Sequence, residues 1–216
     1  MKARVSEPIR LPTRAGEFDA RYVVVVDDRG GIVREGVLLQ SLMSVANDAP
    51  LLVRVQSSCL FSESFWATNC DCALQLRESL SAIAGEGGLV LYFYEEGRGA
   101  GLATKFRAIR LQQLLELDTA RAYECLNLAP DSRSYAAAAI ALIEVLSPHR
   151  PILLMTNNPE KADQLRELGV NVAERRPLIC GWDKPEIRKY LIDKRKVLGH
   201  DIPDDLDQLG NTEHQQ

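Results

Sequence analysis

Residues Gly88–Tyr94 read GLVLYFY, a run with no charge in it. A strand that apolar has no wet face, so it needs cover on both sides, as a central strand of a helix-flanked sheet has. The rest of the chain supplies the neighbours. Tyr22–Val26 is a β-branched run closed by the turn signal Asp27–Gly31, and Leu51–Val55, Pro151–Met155 and Asn171–Arg175 read as further strands. Helical patterns lie between them. Ala73–Ala84 spaces Leu74, Leu76, Leu80 and Ile83 among polar residues, and Leu102–Leu117 is helical in composition. Tyr135–Leu146 is Ala-rich and apolar, and Asn158–Leu168 carries Pro159 near a first helical turn. This alternation predicts an α/β (α+β) fold, a single layered domain with a mixed sheet flanked by helices. Residues 1–20 read as an irregular N-terminal arm, 21–200 as the body and 201–216 as a polar, acidic C-terminal tail.

At 216 residues the chain can bury a core without staples. Lys+Arg 26 against Asp+Glu 30 gives a net charge of -4, which argues against broad nucleic-acid binding but leaves room for local phosphate sites. No apolar tract approaches the roughly 18 residues of a membrane span, and the N-terminus has no signal-like apolar core. Five unevenly spaced cysteines make no disulfide framework. A cytoplasmic, reducing setting is the simplest expectation, and clustered thiols there suit metal or catalysis.

Cys59, Cys70 and Cys72 are such a cluster, spaced Cys-x10-Cys-x-Cys. Asn69 and Asp71 suit a turn that would bring the last two sulfurs to one ion. Three thiolates fill three corners of a zinc tetrahedron, and no fourth ligand is obvious, which is the pattern of a catalytic site. The alternative is three buried apolar cysteines. Cys125 and Cys180 are isolated and read as packing residues.

Glu95–Gly101 (EEGRGAG) follows the apolar strand and precedes a helix bearing Lys105, Arg107 and Arg110. Such a turn can offer backbone N–H groups and a helix N-terminus to an anion, with Arg98 as a fork and Lys105 or Arg107 as further charge. A sharp turn before a solvated helix face explains the same residues equally well. Asp131 or Ser132 could cap the Ala-rich helix, with Arg133 a surface charge. Thr156 and Asn157 fall at a strand end, where α/β sheets collect ligands, and Lys161 sits in a first helical turn against the dipole.

With those blocks in order, the chain resembles GTP cyclohydrolase II, the zinc enzyme that opens the imidazole ring of GTP at the start of riboflavin synthesis. The likeness runs from about Leu51 to His200 and rests on the cysteine triad, EEGRGAGLATKFRA, PDSR, LMTNNPEKADQLRELGVNVAERRPL and YLIDKRKVLGH. It implies Zn²⁺ on Cys59, Cys70 and Cys72. Contacts to GTP, or to a close purine nucleotide, would fall on Arg54, Gln75, Glu96, Gly97, Arg98, Thr119, Thr156 and Lys161. Asp131 would be the proton acceptor and Arg133 would act at the α-phosphate. A guanidinium is protonated at neutral pH, so charge stabilisation suits Arg133 better than nucleophilic attack. The implied reaction is attack at C8 by water activated on zinc, ring opening, loss of formate, and release of pyrophosphate from a triphosphate carrying Mg²⁺. A homodimer is also implied, with no membrane or nucleic-acid partner.

The chain departs from the family pattern at three places. Ser58 stands where a glutamate usually precedes the first cysteine, and Ala73 stands for a glycine. Ile109 stands where most members carry a tyrosine, removing a hydroxyl of the kind whose acid–base help is worth about 10²–10⁴-fold. These changes raise two expectations beside ordinary catalysis: a product that retains its formyl group, or a catalytically silent GTP-binding relative. A structural zinc domain on nucleic acid is a third reading, disfavoured by the net charge.

Overall fold

The computed structural model describes residues 1–146 and 150–204. Its strands are β1 (Lys2–Val5), β2 (Ile9–Thr13), β3 (Gly16–Val26), β4 (Ile32–Ser41), β5 (Leu51–Ser57), β6 (Gly88–Phe93), β7 (Ile152–Met155) and β8 (Val172–Arg176). The helices are α1 (Leu60–Ser64), α2 (Cys72–Glu86), α3 (Leu102–Leu115), α4 (Thr119–Glu124), α5 (Ala136–Val145), α6 (Pro159–Glu167) and α7 (Pro185–Leu198), with a 3-10 turn at Gly97–Gly99. All strands join one mixed sheet, ordered β1-β3-β4-β6-β5-β7-β8, with β2 also paired to β3. The expected α/β layering is therefore present, and GLVLYFY supplies β6, flanked by β4 and β5.

The sheet changes character at β6. From β1 to β4 every pairing is antiparallel, as is β4 to β6; β6, β5, β7 and β8 run parallel. The period-2 alternation of β5 and β6 sorts their side chains between two cores. Leu51, Val53, Val55, Leu89 and Leu91 share a cluster with Ala138, Ala141 and Leu142 of α5 and Ala162 and Leu165 of α6. Leu52 and Val90 cluster instead with Ile83, Leu76 and Leu80 of α2. Both faces of β5 and β6 are thus dry. The chain passes from β5 to β6 on one side, then crosses back over β5 to β7 on the other. That reversal opens a crevice at the carboxyl ends of β5 and β7, the usual ligand position in such sheets.

Residues 1–20 are not an irregular arm: they form β1, β2 and the start of β3. β1 and β2 lie end to end along the same edge of β3, and their alternating or exposed residues hid them from an apolar-run reading. The expected tail lies outside the described residues from 205 onward. No helix among the described residues is long and apolar enough to cross a membrane.

Candidate functional site

β5 builds the floor. Its even-numbered residues face α2, and two of them, Arg54 and Gln56, are buried polar groups in an otherwise apolar strand. Arg54 donates from Nη1 to the Met155 carbonyl at 2.9 Å, spanning the β5–β7 crevice. Its other nitrogens bond Gln56 Oε1 at 3.0 and 2.8 Å and Gln75 Oε1 of α2 at 2.6 Å. Lys161, in the first turn of α6, donates to the Val55 carbonyl at 3.1 Å and stands 5.1 Å from the Tyr135 ring centroid. Burial pulls both cations below their ordinary pKa, and for Lys161 the charges of Arg54 and Arg133 add to the effect. Among the described residues neither bonds a carboxylate. Two buried cations without a counter-ion form a receptor for an anion.

The thiols stand beside this floor. Cys59 precedes α1, Cys72 opens α2, and Cys70 lies in the loop between. Cys59 Sγ is 3.8 Å from Cys70 Sγ, and all three sulfurs lie within 4.8 Å of one another. Two thiolates at about 2.3 Å from one tetrahedral zinc stand about 3.8 Å apart, so the spacing fits that ion. Hydrogen bonds from Cys59 and Cys72 draw the Cys70 thiol down to about 2, whereas the same neighbours and burial push Cys72 up. Three crowded thiols cannot all ionise without a cation to hold them. Among the described residues no fourth His, Cys, Asp or Glu joins the group.

Several side chains fix this cluster. Lys105 donates to Cys59 Sγ at 3.3 Å and to Glu96 Oε2 at 2.8 Å. Burial works against its charge, but Glu96 and Cys59 hold its pKa above the ordinary value. Lys105 was expected as a phosphate charge; it is instead tied to a carboxylate and a sulfur. Glu96 also accepts from the Leu60 N–H at 2.5 Å. Glu63 accepts from the Cys59 N–H at 3.2 Å, the Tyr92 hydroxyl at 2.5 Å and Gln56 Nε2 at 3.0 Å.

The Gly-rich turn follows β6 as expected. Gly97–Gly99 is left-handed throughout, including Arg98 at φ 53°, a conformation that costs a non-glycine residue energy. It aims Arg98 Nη1 at the Pro130 carbonyl, 3.0 Å away, while Ser132 N–H returns to the Arg98 carbonyl at 3.1 Å. The PDSR loop is thereby docked on the turn. Asp131 does not cap α5. Its carboxylate takes the Arg133 fork, with Nε at 2.9 and 3.1 Å and Nη2 in shorter contact. Arg133 holds Asp131 below the usual carboxylate range against the effect of burial.

One cavity joins these parts. It is lined by Arg54, Ser58, the three cysteines, Gln75, Glu96, Gly97, Arg98, Ile109, Thr119, Arg133, Thr156 and Lys161. Of the site residues that the resemblance implies, only Asp131 stays off the wall, one contact behind Arg133, and Arg107, the other phosphate candidate, is off it too. Ile109 presents its alkyl side chain there. Cys180 is buried, as a packing residue should be, but Cys125 is exposed.

Sequence reasoning missed the wall made by α7. Tyr190, Lys194 and His200 line the same cavity. Lys194 pairs at 2.8 Å with Asp71, which was read as a turn residue between two cysteines and is fully buried. Asp71 also accepts from Gln75 Nε2 at 2.7 Å. The signal was in the block YLIDKRKVLGH, whose Lys194 and His200 were quoted without a role.

An open α/β sheet with a metal-competent thiol trio and a cationic cavity at its strand ends defines an enzyme class, the α/β enzymes that work on anionic ligands at the switch point. Comparison with known proteins narrows it. The family model for GTP cyclohydrolase II matches residues 3–177. The chain is 43% identical to GTP cyclohydrolase-2 of Pseudomonas syringae pv. tomato over 192 residues, covering 88% of this chain and 89% of that one. It is 42% identical to GTP cyclohydrolase-2 of Hahella chejuensis over 192 residues, 88% of each. Against a Pseudomonas putida GTP cyclohydrolase-2 it is 43% identical over 207 residues, 95% of this chain and 93% of that one. The chain belongs to the GTP cyclohydrolase II family.

Proposed function

We propose that this chain hydrolytically opens the imidazole ring of GTP and releases pyrophosphate. One observation carries the reading: the sulfur trio and the counter-ion-free cations Arg54 and Lys161 share a single cavity. Zinc bound by Cys59, Cys70 and Cys72 would supply a Lewis acid and activate water at neutral pH. Arg54, Lys161 and Arg98 bind the nucleotide's charge, which arrives partly neutralised by Mg²⁺. Gln75, fixed by Arg54 and Asp71, and Thr156 at the end of β7 orient the ligand. Arg133 stays protonated, held by Asp131, and stabilises negative charge developing at the α-phosphate. Asp131 serves as the group that aims Arg133; to accept a proton it would first have to release that fork.

Ile109 refines the product. A cavity wall that offers an alkyl group cannot deliver a proton from that position to a formyl intermediate, so we assign a formylamino-pyrimidine nucleotide as the main product. The family likeness alone supports a homodimer and a place at the head of riboflavin synthesis; a retained formyl group would divert the product to a specialised route. Incubation with GTP and zinc, followed by mass spectrometry and a formate assay, tests both levels. Ile109→Tyr is expected to raise formate yield by about 10²-fold or more. Equimolar formate from the unaltered chain would dismiss the retained-formyl product, and an intact GTP pool would dismiss the hydrolase.

A further inference from the structure

His200 lines this cavity with both ring nitrogens buried, and the reaction above does not use it. It follows α7, which is capped by Gly199 in the left-handed φ of 61° that glycine tolerates, turning the chain back toward the sheet. The next residues are firmly seated. Asp201 N–H donates to the Asn157 carbonyl at 2.8 Å, and Asp201 pairs with Arg175 at 2.5 Å. Ile202 packs with Ile187 and Leu191. The imidazole is therefore held against the cavity from both sides, and it lines that cavity.

Nδ1 and Nε2 are both buried and neither has a hydrogen-bond partner among the described residues. A buried polar atom left unsatisfied is costly, so two on one ring, kept in place by a built turn, call for a partner. The surroundings state its chemistry. The charges that act most on the ring are Lys194 of α7, Arg133 before α5, Lys161 of α6 and Arg98 of the turn after β6, all cations, while the nearby carboxylates are engaged elsewhere: Asp71 by Lys194, Asp131 by Arg133 and Asp201 by Arg175. Burial first, then these charges, hold the imidazole at about 3, hence neutral. A neutral imidazole has one N–H to give. Among four cations, the acceptor that fits is an anion's oxygen.

We propose that His200 is a substrate-contacting residue of the polyphosphate end of the site, donating a hydrogen bond to a phosphate oxygen. α7 then closes the cavity with three groups toward that end: Lys194, Tyr190 and His200. The assignment rests on the nucleotide site proposed above, and it lies beyond residues 3–177, the part matched by the family model.

The test is calorimetric, on the zinc-loaded full chain, with inorganic tripolyphosphate, a non-hydrolysable GTP analogue and guanosine as probes. His200→Ala is expected to weaken tripolyphosphate and the analogue about tenfold or more while leaving guanosine unchanged. His200→Gln, which keeps an N–H near the Nε2 position, should recover part of the loss and guards against a folding defect in the alanine variant. Equal tripolyphosphate affinity in the unaltered chain and both variants would overturn the proposal. Failure of the unaltered chain to bind any of the three probes would instead overturn the nucleotide site itself. A second readout is acid stability. Between pH 6.5 and about 3 the unfolded chain protonates this ring and the folded chain does not, so stability falls as pH drops through that window. His200→Gln should lessen that fall, and an unaltered slope would contradict the burial on which the assignment stands.

Discussion

The two halves of the sheet do different work. From β1 to β4 the strands are antiparallel, joined by short turns, and none of their residues lines the cavity. From β5 to β8 the strands are parallel, and the site is assembled from β5 and from the connections that follow these strands. A hairpin returns the chain at once and leaves little at the strand end. A parallel crossover carries a dozen or more residues past it, and can bring thiols, a left-handed turn and an Asn–Asn–Pro corner to one place. The antiparallel half extends the sheet and buries Val23, Val25 and Leu38 in the shared core. The parallel half positions chemistry.

That division can be broken by substitution. The largest expected effect is Cys70→Ser, which should abolish turnover and reduce bound zinc well below one per chain while leaving GTP affinity measurable; retained turnover would remove the thiol trio from the reaction. Asp71→Ala comes next. It leaves Lys194 buried without its partner, and should cost about 3–5 kcal/mol in denaturant unfolding, together with a raised KM as α7 loosens. The smallest of the three is Leu38→Ala in β4. It should cost about 2–5 kcal/mol by emptying core volume, yet leave kcat intact at temperatures where the variant is folded. A fall in kcat there would show that the antiparallel half shapes the site as well as supporting it.

The same contrast explains what could be read from sequence. β5, β6 and β7 were legible because strands dry on both faces are continuous apolar runs, α2, α3, α5 and α6 from helical spacing or composition, and β3 and β8 from Tyr22–Val26 and Asn171–Arg175. β4 was not. Its segment IVREGVLLQS places Arg34 and Glu35 mid-strand, and Gly36 interrupts the β-branched pattern. That glycine is there for close approach: a Cβ on it would meet the Tyr92 carbonyl oxygen at 2.0 Å. β2 was obscured by Pro12, which an edge strand tolerates. Within the site, the thiols, EEGRG and PDSR announced themselves as short motifs with local spacing. The pairing of Asp71 with Lys194 did not, because 123 residues separate them and each has an innocent local reading. Long-range ion pairs leave no periodicity in a sequence.

Asp71 has a consequence for biosynthesis. A ribosome delivers the thiol loop more than a hundred residues before Lys194. Until α7 emerges, the nascent sheet can already gather three sulfurs, yet it carries a carboxylate with no cation to meet it and a phosphate cradle with one side missing. The thiol trio can therefore gather before the cavity is complete, and a message cut short before α7 would yield a chain with its three sulfurs in place but without the Tyr190, Lys194 and His200 wall.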